Sequence, residues 1–283
     1  MTPTVIYKWP DKQGHLVDAL LPDATYLHAE PGETGQTVLE KLTCDCQRFW
    51  FHLNCTITSN FPTSRSDLLA ALSDRGVQVV NGHVTDISKR YIQRFNHDHG
   101  FPDVSAKEDG DPDEMVIVKS NQNYAGGPEQ RLSEQELALL GMKQSETVPA
   151  GFEYRVGTRS SFDPACWKNP SLVCERFVHN PHGIYYRAWV WGPKMAISQF
   201  HNPAPIKKVR MSTRMQTTLL RRDDASGVSG VIPSLVSRFA AAFRLDYGAV
   251  DIVTDLKGVA TVIDVNSTPW NSNQPSVVAH LAD

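Results

Sequence analysis

Three residues near the C-terminal end of the sequence, Asp251, Asp264 and Asn266, have the types and spacing to hold a divalent cation. The segment around them reads as two β-strands, Ala249–Thr254 and Ala260–Val265, joined by the turn Asp255-Leu256-Lys257-Gly258. A hairpin turning symmetrically between Lys257 and Gly258 sets Asp251 directly opposite Asp264. Asn266, two residues beyond, projects from the same face. Facing carboxylates repel across a ladder, while Val250, Ile252, Ile263 and Val265 make the other face apolar. A hard cation between the acids turns that repulsion into attraction. Magnesium takes oxygens from one or two carboxylates together with substrate phosphates, and an Asn carbonyl completes such a set. The plain alternative is a solvent-facing strand with scattered acids.

Cations that could answer phosphates lie upstream. Lys119 ends the apolar strand Met115–Lys119 and leads into the loop Ser120–Pro128. Gly126 and Gly127 in that loop let backbone N–H groups approach an anion, although a surface turn has the same composition. Lys89 stands near the start of a helix over Ser88–His99 that Gly100 and Pro102 stop, where the alternative is a solvated helix charge. Arg187 lies in a strand, Tyr185–Trp191, and its planar fork suits a phosphate or a carboxylate. Trp189 and Trp191 in the same strand read as packing. Lys207, Lys208, Arg210 and Arg214 form a basic run within Lys207–Arg222, a poorly periodic stretch read in part as loop. That run is either solvated or gathers a γ-phosphate or an acyl acceptor.

The elements that must position these residues alternate between α and β. Strands at Val5–Tyr7, Phe49–Leu53 and Val77–Val80, with a helix at Arg65–Asp74, outline a first α/β lobe. A polar linker, Ala106–Glu114, precedes the Lys119 strand. Ser133 with Glu136 makes a capping box, and Leu172–Val178 is a further strand. Beyond these come strands Tyr185–Trp191 and Met195–Phe200, a helix at Ile232–Arg244, and the hairpin. The expected lobes are residues 1–85, 86–180 and 181–283.

Composition narrows the class of function. The chain has 283 residues, 41% of them hydrophobic, and a formal net charge of -3. That supplies material for a core and lacks the basic excess of a nucleic-acid binder. No run approaches the roughly 20 apolar residues of a membrane helix, and the N-terminal residues do not read as a secretory signal. Five cysteines, an odd number without a CxxC pair, fit a reducing cytoplasm. Cys44-x-Cys46 would hold a metal only with partners that the sequence does not reveal.

The hairpin resembles the metal hairpin of the ATP-grasp superfamily. There the last strand reads acid-x-Asn-x-x-Pro, here Asp264-Val-Asn266-Ser-Thr-Pro269, after an earlier strand with an Asp, here Asp251. D-alanine–D-alanine ligase, the ribosomal-protein glutamate ligase and glutathione synthetase share this feature. Those ligases usually have Glu where this chain has Asp264, whereas the inositol tris/tetrakisphosphate kinases of the superfamily have Asp. Lys119 and its loop resemble the family's lysine and phosphate-covering loop, though here Asn-rich, and Lys89 resembles its earlier lysine. Leu172–Val178 resembles the hinge strand. There Glu175 would accept from the adenine amino group, and the backbone near Phe177 and Val178 would read the ring edge. Ile184–Gly192 resembles the Arg-bearing strand of the glutamate-ligase and inositol-kinase branches.

The resemblance covers about Asn81 to Pro269. It implies an α/β fold of three lobes, with ATP and one or two magnesium ions between the central and C-terminal lobes. The implied activity joins a small-molecule or peptide carboxylate, through an acyl phosphate, to an amine or thiol. Lys89 and Lys119 would hold the phosphates, and Arg187 would steady the transferred phosphoryl group. The family is often dimeric, so a homodimer is an expectation here. The competing expectations are a polyol-phosphate kinase and a nucleotide-binding module without catalysis.

Overall fold

The computed structural model describes residues 2–10, 12, 14–42, 45–149, 151–222, 230–270 and 275–282. Its strands form three sheets that follow one another along the chain. The first is parallel, with order β2-β1-β3-β4, and holds β1 (Thr4–Trp9), β2 (Thr25–His28), β3 (Arg48–Leu53) and β4 (Gln78–Val80). Helices α1 (Leu16–Leu20), α2 (Gly35–Lys41) and α3 (Arg65–Asp74) lie in its connections. Strand β3 shows why this sheet is internal. Phe49, Phe51 and Leu53 enter one core with Val38, Leu68 and Leu72, while Trp50 enters the opposite one with Ile6, Leu16 and Tyr247. A strand apolar on both faces belongs to a parallel sheet covered on both sides.

The second sheet is antiparallel, in the order β6-β5-β7. Helix α4 (Lys89–Asp98) precedes it, and β5 (Met115–Ser120), α5 (Glu134–Leu139), β6 (Arg155–Thr158), α6 (Ala165–Lys168) and β7 (Leu172–Arg176) make up its region. The third, also antiparallel, has order β10-β9-β8-β11-β12. It contains β8 (Ile184–Trp191), β9 (Lys194–His201), β10 (Thr213–Arg221), β11 (Tyr247–Thr254) and β12 (Ala260–Asn266), with helices α7 (Val231–Phe243) and α8 (Pro275–Ala282). Of the stretch Lys207–Arg222, expected to be loop in part, Thr213–Arg221 forms strand β10, and the residues before it form no strand. Its side chains lack hydrophobic alternation because it is a largely exposed edge strand, and its order comes from the ladder with β9.

The third sheet presents two unlike faces. On one, Ala188, Val190, Val250, Ile252, Val262 and Val265 pack against Leu235, Val236, Phe239 and Phe243 of α7. On the other, Tyr185, Trp189, Phe200 and Val253 meet the first lobe's sheet and α1. Helix α4 precedes the second sheet in sequence yet packs on the third, through Ile92 and Phe95. The Asn96 amide anchors it further by donating to the Val262 carbonyl at 3.0 Å. Ser88 caps α4 by accepting the Tyr91 N–H at 3.3 Å, so Lys89 is its first residue.

Asp251 pairs with Asp264 in the hairpin, and Ala249 pairs with Asn266. Toward the turn the register shifts, and Ile252 pairs with Val262. Ile263 is thus an extra residue in β12, a β-bulge beside the acids, where the symmetric reading expected an unbroken ladder.

The junction of the first and third sheets buries two histidines. His52 is 0% and His15 1% exposed, with ring centroids 4.8 Å apart, and neither nitrogen of His52 has a hydrogen-bond partner. Burial, joined for His52 by the charge of His15 and for both by Lys8, lowers their pKa values from the usual 6.5. Asp18 opposes this for His15. The unfolded chain therefore binds protons first as pH falls. Their contribution is complete above about pH 6.5 and is lost below it, at up to about 1.4 kcal/mol per pH unit for each histidine. Urea unfolding between pH 7.5 and 5.5 should show that loss, and His52→Leu should flatten it. An unchanged slope in His52→Leu would refute this assignment.

Candidate active site

Between the second and third sheets lies an open cleft. Its apolar part comes from Val104, Ile117, Phe177, Val178, Ile206 and Ile263, and its charged part from Lys89, Lys119, Glu175, Lys207, Asp251 and Asp264. The first residue of α4, the end of β5, the end of β7 and the C-terminal hairpin thus converge on one space.

At the hinge, Phe177 follows β7, and its N–H donates to the Met115 carbonyl at 2.9 Å. The Val178 N–H makes no hydrogen bond among the described residues, beside the apolar walls of the cleft. A flat heterocycle can stack between such walls and use that free donor. Glu175 does not offer free oxygens there. Its Oε2 lies 2.5 Å from Lys119 Nζ, and its Oε1 accepts from the Gln93 amide at 3.1 Å. Both Lys119 and Glu175 are nearly fully buried. The expected acceptor for an adenine amino group is therefore, in this structure, the counter-ion of Lys119.

Lys89 reaches the same cleft from the opposite wall. It is 2% exposed, donates to the Gln122 carbonyl at 3.2 Å and Asn123 Oδ1 at 3.4 Å, and stands 3.6 Å from Asp264 Oδ1. Burial disfavours its charge, but Asp264, with smaller contributions from Tyr154 and Glu175, outweighs burial and raises its pKa. Lys89 is accordingly a fixed positive charge at any physiological pH. Gln93 sits one turn along α4 from Lys89, and Asn96 follows on the same buried side. That polar stripe on an otherwise apolar helix face is a signal that the reading of Lys89 alone missed.

Asp264 Oδ1 is buried without a hydrogen-bond partner, which is costly for a carboxylate and favours a cation beside it. Asp251 is engaged instead: Arg187 Nε donates to its Oδ1 at 2.7 Å and Nη2 to its Oδ2 at 2.6 Å. Burial works against the Arg187 charge, yet Asp251 overcomes it and raises the arginine pKa. Asn266 donates to the Tyr124 hydroxyl, and its Oδ1 accepts from the Thr268 N–H at 2.9 Å and, at 3.5 Å, from the Thr268 hydroxyl. The oxygens of Asp251, Asp264 and Asn266 fit a hard cation, and the Asp264 orphan oxygen is the strongest sign of one. Among the described residues no cluster of three His, Cys, Asp or Glu side chains could hold a metal, so any site here depends on the Asn and on ligand oxygens.

Gly126 and Gly127 do not line the cleft. Tyr124, Ala125 and Gly126 all have left-handed backbones, and a Cβ at Gly126 would overlap the Gln122 amide. Asn123 stitches the start of this loop to its surroundings, with its N–H on Thr56 Oγ1 at 3.0 Å and its amide on the Val265 carbonyl at 2.7 Å. Of the basic run, Lys207 lines the cleft and donates to the Asn202 and Ala204 carbonyls, both at 2.8 Å. Lys208 is exposed, and Arg214 lies over the rings of Trp189 and Phe200. The Arg210 side chain and Cys44, hence the Cys44-x-Cys46 pattern, lie outside the described residues.

The buried Lys119–Glu175 pair gives a test. Removing one partner of such a pair strands the other charge and costs about 3–5 kcal/mol, whereas removing both costs far less than the sum. Lys119→Met should be strongly destabilised in urea unfolding, and Lys119→Met/Glu175→Leu should recover much of the loss. Additive costs would show that the pair is not coupled.

No protein-family model matches the sequence, and a search of curated proteins returns no match. Solved structures do match. D-alanine–D-alanine ligase from Bacillus anthracis aligns over 100% of this chain and 94% of its own, at 11% identity and a TM-score of 0.53. A RimK domain ATP-grasp protein from Sphaerobacter thermophilus aligns over 99% and 97%, at 15% identity and a TM-score of 0.53. The ATP-grasp ligase PsnB, complexed with minimal precursor, Mg and ADP, aligns over 99% and 92%, at 13% identity and a TM-score of 0.51. These likenesses span the whole chain, including the first lobe, and show that it has the fold of the ATP-grasp ligases.

Proposed function

We propose that the chain is an ATP- and magnesium-dependent ligase that joins a carboxylate, activated as an acyl phosphate, to an amine or thiol. The observation that carries this reading is the pairing of Asp251 with Asp264 on the wall of a cleft that Lys89 and Lys119 enter from other elements. The Asp264 oxygen that is buried without a hydrogen bond lies within it, 3.6 Å from Lys89. The solved structures with this fold that are named ligases support the reaction class, and the complex of one with Mg and ADP supports the cofactors.

In the reaction a substrate carboxylate oxygen attacks the γ-phosphorus, forming the acyl phosphate and releasing ADP. The amine then attacks the acyl carbon and phosphate departs. Negative charge accumulates on the phosphoryl oxygens in the first step and on the departing phosphate in the second, so catalysis is chiefly placement and neutralisation. The Val178 N–H and the apolar walls seat the base. Lys119, fixed by Glu175, and Lys89, fixed by the Gln122 carbonyl, hold the phosphates with preset charges that need no reorganisation during the step. Magnesium, held by Asp264, Asn266 and Asp251, would supply Lewis-acid neutralisation. Arg187 steadies the transferred group with its fork. No side-chain nucleophile is needed.

Lys207 at the cleft favours a second reading, in which a polyol phosphate is the acceptor and the chain is a kinase. ADP release against amino acids, peptides and polyol phosphates separates the two by product: an amide or thioester with phosphate, or a new phosphate ester. Asp264→Ala should lower ADP release by about 10²-fold or more, the equivalent of a few kcal/mol of lost charge stabilisation. Full turnover in Asp264→Ala would sink both readings.

A further inference from the structure

Four charged side chains form a row across the third sheet. Arg187 on β8 is the cross-strand partner of Asp251 on β11, and Asp251 is the partner of Asp264 on β12. Lys89 of α4 closes the far end. The row is neutral as a whole but unevenly satisfied. Asp251 has both oxygens held by the Arg187 fork at 2.7 and 2.6 Å. Asp264 has only a lysine 3.6 Å from its Oδ1, and that oxygen makes no hydrogen bond. The same carboxylate cannot keep both guanidinium bonds and also turn an oxygen to a metal without crowding two cations on one small group.

We propose that Arg187 is a latch on the metal site. In this structure it occupies Asp251; a cation gains Asp251 only when the fork lets go, and the released fork then engages the anion that arrives with the cation. This rests on the ligase reading's metal site and adds to it an order of events. A dication alone would leave the row with two excess positive charges and Arg187 without a partner. A dication accompanied by phosphate oxygens supplies both the compensating charge and the new acceptor for the fork. Metal and nucleotide therefore bind with positive coupling, and Arg187 is the residue through which they are coupled.

The test uses Mn²⁺ as probe, titrated into the full chain without nucleotide and followed by the loss of the free-ion electron paramagnetic resonance signal. Arg187→Met should tighten Mn²⁺ binding about tenfold, although the same change lowers turnover. Arg187→Lys, which keeps the charge but holds one oxygen, should give an intermediate gain. It also keeps the experiment decisive if Arg187→Met does not fold. In an Asp251→Asn background Arg187→Met should add nothing, because there is no latched carboxylate to free. A gain that persists in that background marks a simple charge effect and overturns the latch. So does Mn²⁺ affinity in Arg187→Met equal to or weaker than wild type while Asp264→Asn still abolishes binding, a result that leaves the metal site standing. Mn²⁺ affinity indifferent to Asp264→Asn would overturn the metal site and the latch together.

Discussion

The architecture turns on a problem of charge in a poorly solvated place. The cleft brings two carboxylates onto adjacent positions of paired strands and a third onto the opposite wall, where water cannot fully screen them. Each is answered by a cation from a different element: Asp251 by Arg187 of β8, Glu175 by Lys119 of β5, and Asp264, at longer range, by Lys89 of α4. The Arg187–Asp251 pair lies within the third sheet and Lys119–Glu175 within the second, while α4 reaches both, through Lys89 to Asp264 and through Gln93 to Glu175. Phe95, Phe239 and Val262 hold the dry side.

The balance is uneven, and that is where chemistry is available. Two carboxylates are saturated by bidentate or close contacts, whereas Asp264 keeps an oxygen with no donor. Natural interiors seldom leave a carboxylate oxygen in that condition unless something else visits it. The lysines carry no such deficit, since each is anchored by a carbonyl or carboxylate that holds it for an incoming anion. Rigid charges aimed at one unsatisfied acid describe a site prepared for a ligand with both signs of charge, as a metal-bound polyphosphate has.

The parts of this arrangement legible in the sequence were the local ones. Asp251 and Asp264 could be placed face to face because a hairpin closes over a few residues and side chains alternate with period two. Lys119 could be placed because it ends an apolar strand. The Arg187–Asp251 pair could not, because it depends on β8 lying next to β11, a contact across 64 positions with no local signature. Glu175 was read as an open acceptor for the same reason: its partners Lys119 and Gln93 come from elements whose adjacency is tertiary. Loop conformation is equally out of reach: the glycines of the Asn-rich loop stand outside the cleft lining, while Tyr124 of the same loop meets Asn266. In β10 the hydrophobic period is absent because most of the edge strand is exposed, and its order comes from the ladder with β9.

The extra residue Ile263 has a consequence for how one strand serves two masters. Counting along β12, Val262 and Asp264 are two apart and in a regular ladder would share a side. Here Val262 faces the dry interior with Ile252 while Asp264 stands with Asp251 over the cleft. The bulge acts as a half-period phase slip, letting an aliphatic segment near the turn and a ligand-facing segment near the strand's end each find its proper environment. A chain lacking that one insertion would have to choose between solvating its core and hiding its acid.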